Sequence, residues 1–133
     1  MEADNVRVTF GALDFAFREP VGSQADIKLV GFAPKGRTGI VEVTDQPDDT
    51  RVSLLLSVDR QPRNRVWSAM CVSSLAEALD VDFAGWLGDH VRRLGYADVW
   101  SVTREFGQRS VSAEFFPADT LLITVDAQST TRQ

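Results

Sequence analysis

Apolar and polar residues alternate through most of the first 72 positions of the chain. In "VRVTF", Val6, Val8 and Phe10 fall on one side of an extended segment. In "LDFAF", Leu13, Phe15 and Phe17 do the same, in the opposite phase. A period of two changes phase only through a bulge or a turn, and Gly11–Ala12 is suited to either. "REPVGSQ" reads as a loop by its Pro and Gly. "DIKLVGF" and "TGIVEVT" read as strands joined by "APKGR". "TRVSLLLSVD" has the clearest alternation, with Val52, Leu54, Leu56 and Val58 on one face. "RQPRN" reads as a loop and "RVWSAMCV" as a further strand.

The period then lengthens. Ser74 and Glu77 have the spacing of a capping box ahead of a short helix, "LAEAL". Asp82 is placed to cap a second helix, and Gly95 to end it. Phe83, Trp86, Leu87, Val91 and Leu94 form one stripe at roughly 100° per residue. Alternation returns in "DVWSVTRE", "RSVSAEFF" and "TLLITVD", with turns at "FGQ" and "PAD". The pattern predicts an α+β fold. A mostly antiparallel sheet of about eight or nine strands packs on one main amphipathic helix, residues 83–94, preceded by a short helix. Residues 1–127 read as a single domain and 128–133 as a polar tail.

Composition narrows the class. At 133 residues, 44% apolar and 25% charged, the chain is long enough for one core without metal or disulfide staples. No apolar run reaches the roughly 18–20 residues of a membrane helix, and "MEADNVRV" lacks the features of a signal peptide. A cytoplasmic protein with no membrane partner is therefore expected. Of the 14 basic residues only Lys28 and Lys35 are lysines, a bias that points to a GC-rich, bacterial coding sequence. The net charge of −5 disfavours nucleic-acid binding without a local basic patch. With one cysteine and one histidine, no structural zinc site and no intramolecular disulfide is expected.

Each candidate for chemistry has a plainer structural reading. His90, the sole histidine, lies at about 340° on a wheel with Phe83 at 0°, inside the apolar stripe beside Trp86. No carboxylate on that helix can orient its imidazole, as a general base needs. A packed histidine bonded to a backbone carbonyl is the favoured reading, and a pocket wall formed by His90 and Trp86 the alternative. Arg92 and Arg93 complement the helix dipole. "GFAPKGRT" is spaced like a phosphate loop, but Arg37 stands where lysine is needed and a strand pattern follows, so it reads as a hairpin loop. Cys71 precedes His90 as in some thiol hydrolases, yet sits in an apolar segment where a thiol is inert packing. "DQPDD" lacks the donor spacing of a calcium loop.

Two charged segments remain as partner-binding candidates: the acidic turn with Asp45, Asp48 and Asp49, and the basic cluster Arg60, Arg63 and Arg65. With so sparse a catalytic vocabulary and no cofactor motif, the sequence favours a non-catalytic protein-binding domain. Its concrete form is an acidic immunity- or inhibitor-type protein that neutralises a basic toxin or nuclease, since acidic surfaces steer onto basic partners. One alternative is a small-molecule-binding or hydrolytic domain with a pocket between sheet and helix near His90. Another is a structural subunit whose edge strand pairs with a neighbour, "VSLLLSV" and "TLLITV" being candidates. The sequence leaves the oligomeric state open.

Overall fold

The computed structural model describes residues 2–19, 27–46, 49–58, 62–94, 98–116 and 119–127. The chain runs α1 (Glu2–Gly11), β1 (Ala16–Arg18), β2 (Ile27–Phe32), β3 (Ile40–Gln46), β4 (Asp49–Ser57), α2 (Pro62–Leu79), α3 (Ala84–Leu94), β5 (Trp100–Phe106), β6 (Arg109–Phe116) and β7 (Thr120–Ala127). It is an α+β fold, and the strands form one seven-stranded antiparallel sheet in the order β1-β2-β3-β4-β7-β6-β5. β1 to β4 form a meander. The chain then passes through α2 and α3 to the far edge, and β5, β6 and β7 return step by step until β7 pairs with β4.

Alternation explains which face of the sheet is buried. Val41 and Val43, then Val52, Leu54 and Leu56, join Val111, Ala113 and Phe115 and Leu121, Ile123 and Val125 in the core. Val6 and Phe10 of α1, Trp67, Cys71 and Leu75 of α2, and Leu87 of α3 pack in the same cluster. On the opposite face the residues between them, such as Glu42, Ser53, Thr124 and Ser112, are only partly covered. "VSLLLSV" and "TLLITV" lie at the centre of the sheet, paired on both sides. At one edge β1 has only three residues. At the other, β5 exposes Ser101, Thr103, Arg104 and Glu105.

The sheet has fewer strands than the eight or nine expected, because two expected strands are helices. "VRVTF" belongs to α1. Val6 and Phe10, four apart, are buried, whereas Val8 between them is 73% exposed. The helical period therefore wins over the alternation. The end of α1 also explains why "LDFAF" contributes only its last residues to a strand. The Asp14 N–H donates to Gly11 C=O at 3.0 Å and the Phe15 N–H to Phe10 C=O at 3.2 Å. Asp14 takes a left-handed φ of 68°. These bonds are a Schellman motif, and the Phe15 ring meets Phe10 edge-on at 5.0 Å, the apolar contact such a motif calls for.

The second correction is larger. "PRNRVWSAMCVSSLAEAL" is one helix, α2, where a loop, a strand and a short helix were expected. Trp67, Ser68, Cys71, Leu75, Ala78 and Leu79 are its buried residues, a helical spacing. Pro62 stands at its first position, where proline costs no hydrogen bond. Ser74 and Glu77 lie inside the helix, so they form no capping box. A second Schellman motif ends it: Asp80 N–H to Glu77 C=O, Val81 N–H to Ala76 C=O, and Asp80 at φ 55°. The main helix by length is thus α2, and α3 is the shorter of the pair. Phe83 takes the cap position of α3, its carbonyl accepting from the Leu87 N–H at 3.0 Å, and Asp82 lies one residue earlier. Gly95 and the loop at 20–24 fall outside the described residues. Among the described residues no helix is long and apolar enough to cross a membrane.

The helical phase of α1 has a direct test. Phe10→Ala is expected to cost about 3–5 kcal/mol in denaturant unfolding, and Val8→Ala about 0.5 kcal/mol or less. Equal losses at both positions would indicate a strand.

Candidate functional site

A cleft of about 470 Å³ lies between α2, α3 and the sheet. Its floor is Val58, just past β4, with Trp100, Phe115 and Leu121 from the second half of the sheet. Trp100 and Phe115 stack there with centroids 5.8 Å apart. One wall is the α2 face of Arg65, Ser68, Ala69, Val72 and Ser73. The other is the α3 face of Ala84, Leu87, Gly88, Val91 and Arg92. Its size falls within the ~300–1,000 Å³ usual for ligand pockets.

Small residues keep the cleft open. Ala69 and Ser73 on α2, and Ala84 and Gly88 on α3, each stand one turn apart in the lining. A Cβ built on Gly88 would meet only the Arg92 guanidinium, at 4.0 Å. Glycine inside a helix costs about 1 kcal/mol relative to alanine, so α3 gives up stability at this position. The polar groups are few. Arg65 and Arg92 are exposed at the cleft, and Arg92 also bonds Asp89 on its own helix. Among the described residues no carboxylate side chain lines the cleft. Ser68 is buried, and its Oγ has no hydrogen-bond partner in the structure.

The charged candidates are not gathered at one place. Asp45 and Asp49 lie in the β3–β4 hairpin, where Asp45 faces Thr50 and Asp49 faces Gln46 across the strands. Asp48 and Arg60 lie outside the described residues. Arg63 and Arg65 are exposed in the first turn of α2, but only Arg65 reaches the cleft. His90 and Trp86 lie on α3 but do not line the cleft. The His90 Nδ1–H donates to the Trp86 carbonyl at 2.9 Å, and the two rings meet edge-on at 5.0 Å. Trp86 in turn meets Phe106 of β5 at 5.6 Å. This flank is aromatic packing.

The remaining motifs have structural roles. In the "GFAPKGRT" segment, the Thr38 carbonyl accepts the Trp67 indole N–H at 2.8 Å and the Arg37 guanidinium lies 5.1 Å from the Trp67 ring centre. Gly31 lets the Phe17 ring sit where a Cβ would lie 2.4 Å away. A strand follows, β3. Cys71 lies in a helix, not the expected strand, and is fully buried. Burial pushes its thiol up to about 12, against a smaller lowering by Arg37. It is neutral and unreactive at physiological pH. Among the described residues no three His, Cys, Asp or Glu side chains cluster as metal ligands. The chain matches no protein-family model, no curated protein and no solved structure.

Sequence reasoning missed Ser68 and Gly88, and assigned Arg92 only to the helix dipole. The signal was present in the small residues four apart, but it has meaning only once α2 is known to be a helix.

Ser68→Ala removes a buried hydroxyl that has no partner and is expected to raise stability by about 1 kcal/mol in denaturant melts; a loss of that size would reveal a hidden bond. For Cys71, the unfolded thiol loses its proton near the ordinary value of 9.0, the folded one near 12. The folded state therefore binds more protons between those values, and stability falls as pH rises through that window. Cys71→Ala is expected to remove this part of the alkaline loss, measured as unfolding free energy against pH. An unchanged alkaline slope would mean that the thiol does not carry it.

Proposed function

We propose that the chain is a non-catalytic protein-binding domain that docks its partner on the solvent side of α2. The observation that carries this reading is the apolar character of that side. Val66 is 60% exposed and Met70, one turn on, is 44% exposed. A second, shallower depression adjoins them, lined by Leu13, Val66, Ala69, Met70, Ser73 and Ser74. It shares Ala69 and Ser73 with the main cleft. α2 is thus a ridge of small residues between two depressions. Grouped exposed apolar side chains mark interaction sites more often than scattered ones. Methionine adapts to varied partner shapes. An amphipathic helix laid along such a ridge is an established mode of recognition.

Two further facts favour binding over hydrolysis. Ser68 is the hydroxyl buried in the cleft, and among the described residues no histidine or carboxylate lines that cleft to activate it. His90 bonds the Trp86 carbonyl through Nδ1 and stands outside the cleft lining. The net charge of −5 supports a basic partner, as for an immunity- or inhibitor-type protein acting on a toxin or nuclease. In that form the β3–β4 hairpin with Asp45 and Asp49 steers the encounter and α2 supplies the affinity. The arginine-rich composition fits a bacterial source.

Capture of a stoichiometric partner from the host by the wild-type chain and two double variants tests both surfaces. Val66→Asp with Met70→Glu is expected to weaken binding roughly a hundredfold, as loss of hot-spot contacts does. Asp45→Lys with Asp49→Lys is expected to slow association at low salt and leave dissociation unchanged. Binding that survives the α2 variant overturns the α2 surface. Capture of no partner at all overturns the protein-binding reading.

A further inference from the structure

The main cleft carries an inference separate from the α2 ridge. Its floor and most of its walls are apolar: Val58, Val72, Leu87, Val91, Phe115 and Leu121. The space exists because the facing helices place small residues there, and Gly88 has room for a side chain that it lacks. Among the described residues the charged members of the lining are Arg65 and Arg92, on opposite walls, in a chain whose net charge is −5; Arg92 also bonds Asp89, which lies outside the lining. Ser68, three residues on from Arg65 and on the same wall, is only 6% exposed and holds an Oγ with no partner. Apolar depth, a cationic pair and one spare buried hydroxyl together describe a ligand with an apolar body and an anionic head.

We infer that the cleft between α2, α3 and the sheet binds a single-chain carboxylate amphiphile. Its alkyl chain lies on Val58, Phe115 and Leu121. Its carboxylate is held by the guanidinium groups of Arg65 and Arg92, whose forked donors suit carboxylates. The Ser68 hydroxyl, which has no partner within the protein, donates to the ligand. Charge complementarity selects an acid over an alcohol, ester or amine of the same length.

Titration of the purified full chain with dodecanoate tests this, followed by tryptophan emission in a Trp67→Phe, Trp86→Phe background that leaves Trp100 in the cleft floor as the reporter. Methyl dodecanoate and dodecylamine serve as neutral and cationic matches. Saturable binding of dodecanoate is expected, roughly tenfold tighter than the ester and tighter still than the amine. Arg65→Gln with Arg92→Gln is expected to remove that tenfold preference and leave ester binding unchanged. Gly88→Leu is expected to abolish binding of both. Ser73→Phe, at the exposed rim, provides a second block should Gly88→Leu disturb the fold, which circular dichroism reports. Equal affinity for acid and ester in the wild type overturns the anionic head. No saturable change with either, or binding unaffected by both blocking variants, overturns the cleft as the site. None of these outcomes depends on whether a protein docks on α2.

Discussion

The pairing of β4 with β7 is the contact on which the rest of the molecule depends. Val52 faces Val125, Leu54 faces Ile123 and Leu56 faces Leu121 across it, and all six side chains are buried. These cross-strand apolar pairs supply the strength of the seam. The ion pair beside them, Arg51 with Asp126 at 2.6 Å, is half-exposed and contributes about 1 kcal/mol at most. Arg51 and Asp126 are 75 positions apart, so the seam must offset the entropy of closing a long loop. α2 and α3 lie inside that loop. The cleft floor joins Val58, from the end of β4, to Trp100, Phe115 and Leu121 from beyond the loop. Without the seam the cleft has no floor.

How legible this was in the sequence follows from where two periodicities agree. In β3, β4, β6 and β7 alternation and burial coincide, because each strand hides one face only. Val52, Leu54, Leu56 and Val58 were readable for that reason, and all are buried. In α1 the two periods share residues: Val6 and Phe10 satisfy both an alternation and an i, i+4 spacing, and only the exposure of Val8 separates them. α2 misled through its composition. "RVWSAMCV" is rich in β-branched and aromatic residues, a weak preference that tertiary packing overrides. The ends of both helices were hidden as well. Asp14 and Asp80 take the left-handed position at which glycine is the usual signal.

The site was less legible than the fold for a related reason. A cleft between two helices is specified by residues three and four apart on each, and α2 had first to be recognised as a helix. The single histidine drew attention to α3, and the cleft does lie against α3, but on the side of Leu87, Gly88 and Val91. His90 and Trp86 instead join α3 to the β5–β6 hairpin through Phe106. A rare residue type proved a poor guide. The absence of a side chain at Gly88 says more about the cleft than the presence of one at His90.

An open sheet always leaves two strands with unpaired backbone groups, and here the two rims are protected in different ways. β1 is short, three residues, and offers few groups to a second chain. β5 is longer, and presents Arg104 and Glu105 beside Ser101 and Thr103, all exposed. Charged residues on a rim strand disfavour the stacking of sheets end to end. The long apolar strands that would aggregate most readily, β4 and β7, are sealed against each other at the centre. That pairing withholds their backbone groups from other chains, and an opening of the seam would expose both strands together.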